Sequence, residues 1–353
     1  MKKFFVSLVM LLSLSAANVF AQSSLIATLS HEGEITAFYG ADALKEAHEA
    51  AVHGDAITLS SGTFTATNIT KAITLRGAGM QVDTINNVLP SIINGNFTIQ
   101  IADTVTKKLT IEGVYNNHTI TVYATLNGAR FIKNRFKEFK SYYSSSSGSS
   151  MNNARLDNTT FLHCKITTGF VIEHYGDVTF CNCYIANLIS YSSSVQMRNS
   201  IIHCKGRSIS YYLNNSSLYN CLIIGNNTSG SGDYLSSSCI AYNCVAMNCY
   251  DSNCFRYIPN TTNTHSTYTK VFKDFTGTYN DNITFELTDE AKAKFLGTDD
   301  TQVGIYGGNF PYDPATTNPH ITKCNVAAKS TADGKLSVDI EVAGVEQCAC
   351  VPI

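Results

Sequence analysis

The sequence predicts an all-β protein, a right-handed parallel β-helix of about nine or ten coils with an N-terminal capping helix and a C-terminal β-hairpin extension. Two observations carry this. A short phrase returns along the middle of the chain as Phe161-x-His163-Cys164-x-Ile166, Phe180-x-Asn182-Cys183-x-Ile185, Met197-x-Asn199-Ser200-x-Ile202, Leu218-x-Asn220-Cys221-x-Ile223 and, more weakly, Ala241-x-Asn243-Cys244-x-Ala246. Its returns fall 19, 17, 21 and 23 residues apart, the period of a solenoid built of short β segments. The second is composition. Charged residues make up only 15% of the chain, so Ser, Thr, Asn and Gly must supply most of the polar surface, as in β-solenoids.

The first element is a targeting segment. Lys2 and Lys3 precede an apolar run from Phe4 to Leu14, and Val19-Phe20-Ala21 offers small residues for cleavage before Gln22. This order predicts a secretory signal peptide over 1–21, cut between Ala21 and Gln22, and an exported protein of the periplasm, the outer surface or the medium. No later run reaches the ~20 apolar residues of a membrane span. Removing two lysines leaves 23 basic and 27 acidic residues, a net charge of −4, which does not suggest a nucleic-acid partner.

Residues 22–265 read as the β-helix with its cap. Leu44, Ala47, His48 and Ala51 fall at helical spacing before Gly54, so a helix covers the first coil, with His48 and His53 expected on its surface. Ala56-Ile57-Thr58-Leu59 recurs 16 residues on as Ala72-Ile73-Thr74-Leu75, and Phe97–Ile101 and Leu109–Ile111 read as further strands. A Ser-rich insertion at 141–153 reads as a projecting loop.

Within the phrase, Phe161 and Ile166 are both apolar although five apart, so one residue must bend the backbone and reset the alternation. The Asn is the candidate, because it tolerates the left-handed region. Asn182, Asn199, Asn220 and Asn243 are expected to bond from coil to coil. Cys164, Cys183, Cys221 and Cys244, with Ser200, form an inward ladder of free thiols that act as small hydrophobes. The Cys spacings lack the paired C-x-x-C form, so no metal site and no cofactor is expected.

Residues 266–320 are expected to close the C-terminal end of the solenoid, with a helix over Thr288–Leu296 and a structured loop at 302–314. In 321–353 a hairpin pairs Ile321–Ala327 with Leu336–Val342 across Asp333-Gly334, followed by a tail.

The stretch from Ala41 to Gly79 resembles the entry to right-handed parallel β-helices of the pectin-lyase-like superfamily. There a helix, a Gly-Asp turn, a Gly-Thr-Phe turn and an Ile-Thr-Leu-x-Gly-x-Gly strand follow in order. The VGIYGGNFPYDP segment is similar to the closure of exported β-helix proteins of Gram-negative gut bacteria. The resemblance implies a fold, not an activity, because this superfold hosts lyases, hydrolases, adhesins and scaffolds.

The Asn-Thr-Asp, Asp-Asp and Gly-His-Gly motifs of polygalacturonases do not occur in the coils, and no acid recurs at a fixed repeat offset as a calcium cluster would need. Two groups of residues remain. Arg198 and Lys205, with His203 and Arg207, come from one coil and offer cations for a uronic carboxylate. Tyr191, Tyr211 and Tyr212 follow the phrase and offer rings for sugar stacking. The expectation is an exported, non-enzymatic scaffold that binds or displays, its partner a polysaccharide or cell-surface glycan. The alternative is a polysaccharide lyase or glycoside hydrolase acting on acidic polysaccharide.

Overall fold

In the computed structural model the chain winds into a parallel β-solenoid of about eight turns, with three short helices. It describes residues 25–343 except 85–87, 142–153, 173–175, 191–193, 206–208, 210–212, 227–233, 250–253, 261, 316–319, 327–328, 330–332 and 336.

Two long sheets, of 11 and 12 strands, run the length of the solenoid, and each coil gives strands to both. The phrase is their register. Phe131, Phe161, Phe180, Met197, Leu218 and Ala241 align as neighbours across the first sheet. Phe136, Ile166, Ile185, Ile202, Ile223 and Ala246 align across the second. Inside, Phe131 stacks on Phe161 at 4.6 Å and Phe161 on Phe180 at 5.0 Å between ring centroids. Such pairs add about 0.5–1.5 kcal/mol each to the burial of the rings.

The corner between the sheets is left-handed. Lys133, His163, Asn182, Asn199, Asn220 and Asn243 have φ between 47° and 58°. The residue after each corner turns inward. Its polar atom takes up a backbone N–H of the preceding coil: Cys164 N–H donates to Cys183 Sγ (3.3 Å), Cys183 N–H to Ser200 Oγ (3.1 Å), Val114 N–H to Asn134 Oδ1 (3.0 Å) and Cys244 N–H to Asn263 Oδ1 (3.0 Å). The thiols in turn donate to carbonyls two residues back, as Cys183 does to Cys181 at 3.2 Å. Cys, Ser and Asn are therefore interchangeable here because each is short and carries an acceptor, a role the small-hydrophobe reading omits. Cys164, Cys183, Cys221 and Cys244 are all buried and unpaired.

A test follows from this geometry. Replacing Cys183 by Ser should leave the melting temperature nearly unchanged. Replacing it by Ala strands the Cys164 N–H and should cost about 1–3 kcal/mol in urea unfolding. Equal losses for Ser and Ala would show that volume, not the acceptor, selects the residue.

The coil count is slightly below the nine or ten expected. Ser91–Asn94 and Phe97–Ile99 share one coil, since both pair with the long strand Val114–Val122. The textual match of Ala56–Leu59 to Ala72–Leu75 is offset too. Ile57 pairs with Leu75, two residues on, which keeps the same face inward.

At the N-terminal end, helix α1 (Ala43–Ala50) buries Leu44 and Ala47. A hairpin of Ile26–His31 and Glu34–Tyr39 also adds to the first sheet, its first strand lying antiparallel to Ala56–Leu59. His48 is not a surface residue. It is 4% exposed, its Nε2 accepts the Thr70 N–H at 3.2 Å, and burial pushes its pKa down to about 4. His53 stays exposed and accepts the Ala72 N–H. At the other end Cys254, Phe255 and Ile258 join the core beyond the last full coil.

Residues 268–315 do not close the C-terminal end. They run back along the side of the solenoid as a strap over the outer face of the second sheet. The strap contains α2 (Tyr268–Val271) and α3 (Asp289–Lys294); the Thr288 side chain caps α3 by accepting the Ala291 N–H. Phe272, Phe275, Phe285, Leu287, Val303 and Ile305 bury themselves against outward-facing Tyr184, Ile201, Leu222 and Val245. The second sheet is thus covered on both faces, which is why Leu222-Ile223-Ile224 is an unbroken apolar run.

The corner residues hold the strap. Asn243 Nδ2 donates to Leu296 O (2.9 Å), and Asn220 Oδ1 accepts from Thr298 N (2.9 Å). Asn182 Nδ2 donates to Ile305 O and Gly307 O (both 2.8 Å). His163 Nε2 meets Phe310 O (3.0 Å), and Lys133 Nζ meets Asp313 (3.0 Å) and Ala315 O (2.7 Å). Asn199 packs against Gly307 and Gly308. The expected coil-to-coil Asn ladder is replaced by a rail in which the amides of Asn182, Asn220 and Asn243 bond the strap, while Asn199 Nδ2 is buried against it without a hydrogen-bond partner among the described residues. The final hairpin pairs His320–Val326 with Val338–Ala343, antiparallel.

Candidate functional site

The strap and the second sheet flank an open pocket of 270 Å³ at the end of strand Ile201–His203. His203 and Lys205 line it from the solenoid, with Asn226 and Asn248 from the next two coils. Tyr268 and Tyr279 line it from the strap. It joins hydrogen-bonding amides, two aromatic rings and one cation, a mixture suited to a polar ligand with apolar faces.

Lys205 is its charge. Its Nζ donates to Thr167 O at 2.9 Å and lies 5.4 Å from the Tyr279 ring centre. No ion pair to a carboxylate forms among the described residues. Burial lowers the pKa of the amine. Asn187, at a left-handed corner of its own, fixes the backbone by accepting the Lys205 N–H at 2.7 Å. His203 sits deeper, 5% exposed. Its Nδ1 is 2.9 Å from the Tyr184 hydroxyl, and burial, aided by Lys205, pushes its pKa down to about 4, so it is neutral near pH 7. Burial raises Tyr268 and Tyr279 to about 12, which keeps both hydroxyls protonated.

Arg198 lies elsewhere. It ends strand Ser194–Arg198 and is exposed on the outer face of the first sheet, across the corner from Lys205. The two cations do not share a site. Arg198 covers the Tyr219 ring at 5.1 Å, and Tyr219 stacks on Tyr242 at 5.5 Å with planes 8° apart. These rings spend their faces on each other and present edges to solvent, a poor platform for sugar stacking. Tyr191, Tyr211 and Tyr212 lie outside the described residues, as do Arg207 and the cleavage residues Ala21 and Gln22.

Sequence reasoning singled out Lys205 but missed its partners. Tyr268 and Tyr279 stand more than sixty residues away in a stretch without period, and Asn226 and Asn248 fall one position out of register with each other, since Ile224 pairs with Met247, so the repeat does not mark them as a pair. Among the described residues no group of three or more His, Cys, Asp or Glu could hold a metal ion, and no helix is long and apolar enough to cross a membrane. Comparison with family models, curated proteins and solved structures gave no match.

Proposed function

We propose that the protein is an exported, non-enzymatic β-helix scaffold that binds acidic glycans in the Lys205 pocket. The observation that carries this is Lys205 itself, an exposed cation without a carboxylate partner among the described residues, set between a tyrosine ring and amides of neighbouring coils. A sugar carboxylate or sulfate would supply the counter-charge, and Asn226 and Asn248 would bond ring hydroxyls. The proposal includes removal of residues 1–21 on export and kinship with the pectin-lyase-like superfamily, which rest on the first 22 residues and on Ala41–Gly79 respectively. A lyase reading has one observation in its favour: neutral His203 shares the pocket with Lys205, so a base and a cation stand together.

Calorimetric titration with oligogalacturonate and with a neutral oligosaccharide tests the proposal. The acidic chain should bind more tightly, and Lys205→Met should weaken it about 10- to 100-fold, the worth of one charge-assisted hydrogen bond. Equal affinity for both chains, or an unchanged affinity in the variant, would overturn it. Release of unsaturated sugar that stops on His203→Gln would establish the lyase instead.

A further inference from the structure

A second cationic site lies under the strap and takes no part in the Lys205 pocket. Arg135 and Lys165 are register partners on adjacent strands of the second sheet. Their neighbours Phe136 and Ile166 point into the core, so by alternation both cations point outward, under the strap. Like charges directly opposite on neighbouring strands, about 5 Å apart, repel.

Lys165 is only 6% exposed. Its Nζ lies 5.3 Å from the centre of the Tyr312 ring and has no hydrogen bond or ion pair among the described residues. Arg135 lies over the Tyr115 ring at 4.6 Å and pairs with Asp281, a carboxylate that is itself 63% exposed. The Nε of Arg135 is buried and has no hydrogen-bond partner. Asp274, the other acid nearby, is occupied by Thr284 and by the Phe285 N–H. Two cations with unmet donors thus face one engaged carboxylate in a closed, aromatic setting. Buried charge is retained only where something pairs with it, and an unsatisfied buried donor calls for an ion or water.

We infer that a small monovalent inorganic anion of the chloride class binds between Arg135 Nε and Lys165 Nζ and ties the strap to the solenoid. The cover of the strap and the burial of Lys165 favour a small ion over an organic acid.

The test compares melting temperatures in sodium chloride and sodium gluconate at one ionic strength, about 150 mM. The wild-type chain should melt about 2 °C higher in chloride, the shift expected for an ion well above its dissociation constant and a chain of this size. Lys165→Met should melt higher than wild type in gluconate, since a buried charge is gone, and respond equally to the two salts. Bromide-soaked crystals of the wild-type chain should show anomalous density between the two side chains. Equal melting of the wild type in both salts, a chloride response that survives in Lys165→Met, or bromide found only elsewhere would each overturn the inference.

Discussion

Replacing Gly307 by Val should release the strap and cost the protein about 3 kcal/mol or more. A Cβ built on Gly307 would lie 1.7 Å from Gln302 O and 2.7 Å from Asn199 Nδ2. The first contact is with backbone inside the same turn, so no rotamer change relieves it. The Asn182 amide, which holds the Ile305 and Gly307 carbonyls, would lose its partners with the turn. Limited proteolysis should then cut within 268–315 long before the coils, while β-type circular dichroism persists. A variant that melts and resists protease like the wild type would mean that the turn can open without undocking the strap.

The second large effect is acid lability. His203 has its pKa pushed down to about 4 in the folded protein, against 6.5 when unfolded. Between these values the unfolded chain binds the proton and the native chain does not. Stability therefore rises with pH through that window and is lost as pH falls from about 6.5 to 4. The loss from His203 alone should be about 2 kcal/mol between pH 7 and pH 5. His163, under the strap at Phe310, and His48, on the buried side of α1, are shifted the same way by burial and add to it. His31 opposes the trend, since Asp55 raises its pKa, but the pair is exposed at the histidine and weak. Urea midpoints at pH 7 and 5 measure the sum. His203→Gln should flatten the dependence, and a wild-type midpoint that does not fall at pH 5 would show that these sites admit water.

The coils were legible because every device in them is local. Asn182 bends, Cys183 turns inward and Ile185 fills the core within four residues, and the next coil repeats them. The strap was not, because its contacts join residues 53 to 182 apart in sequence, from Asn243 with Leu296 to Lys133 with Ala315. The QVGIYGGNFPYDP stretch has no period to read, and most of its polar contacts to the corner are made by backbone carbonyls. One clue was present. Except for Lys165 in the first copy, the residue just before the last apolar position of the phrase is Tyr184, Ile201, Leu222 or Val245, apolar where a wet face would be polar, and it marked a second buried surface. The same gap explains the site: Lys205 was visible as a charge, but the rings beside it arrive on the strap.

The strap also acts as a ruler. It meets the corner at Asn243, Asn220, Asn182, His163 and Lys133 in reverse chain order, each anchor on a different coil. Gaining or losing one coil between 133 and 243 would preserve every strand pairing yet displace the remaining anchors by about 4.8 Å, one strand spacing. Solenoids ordinarily lengthen by duplicating a repeat. Here any such duplication must be matched by an insertion in 296–315, so the number of coils and the length of the strap can change only together.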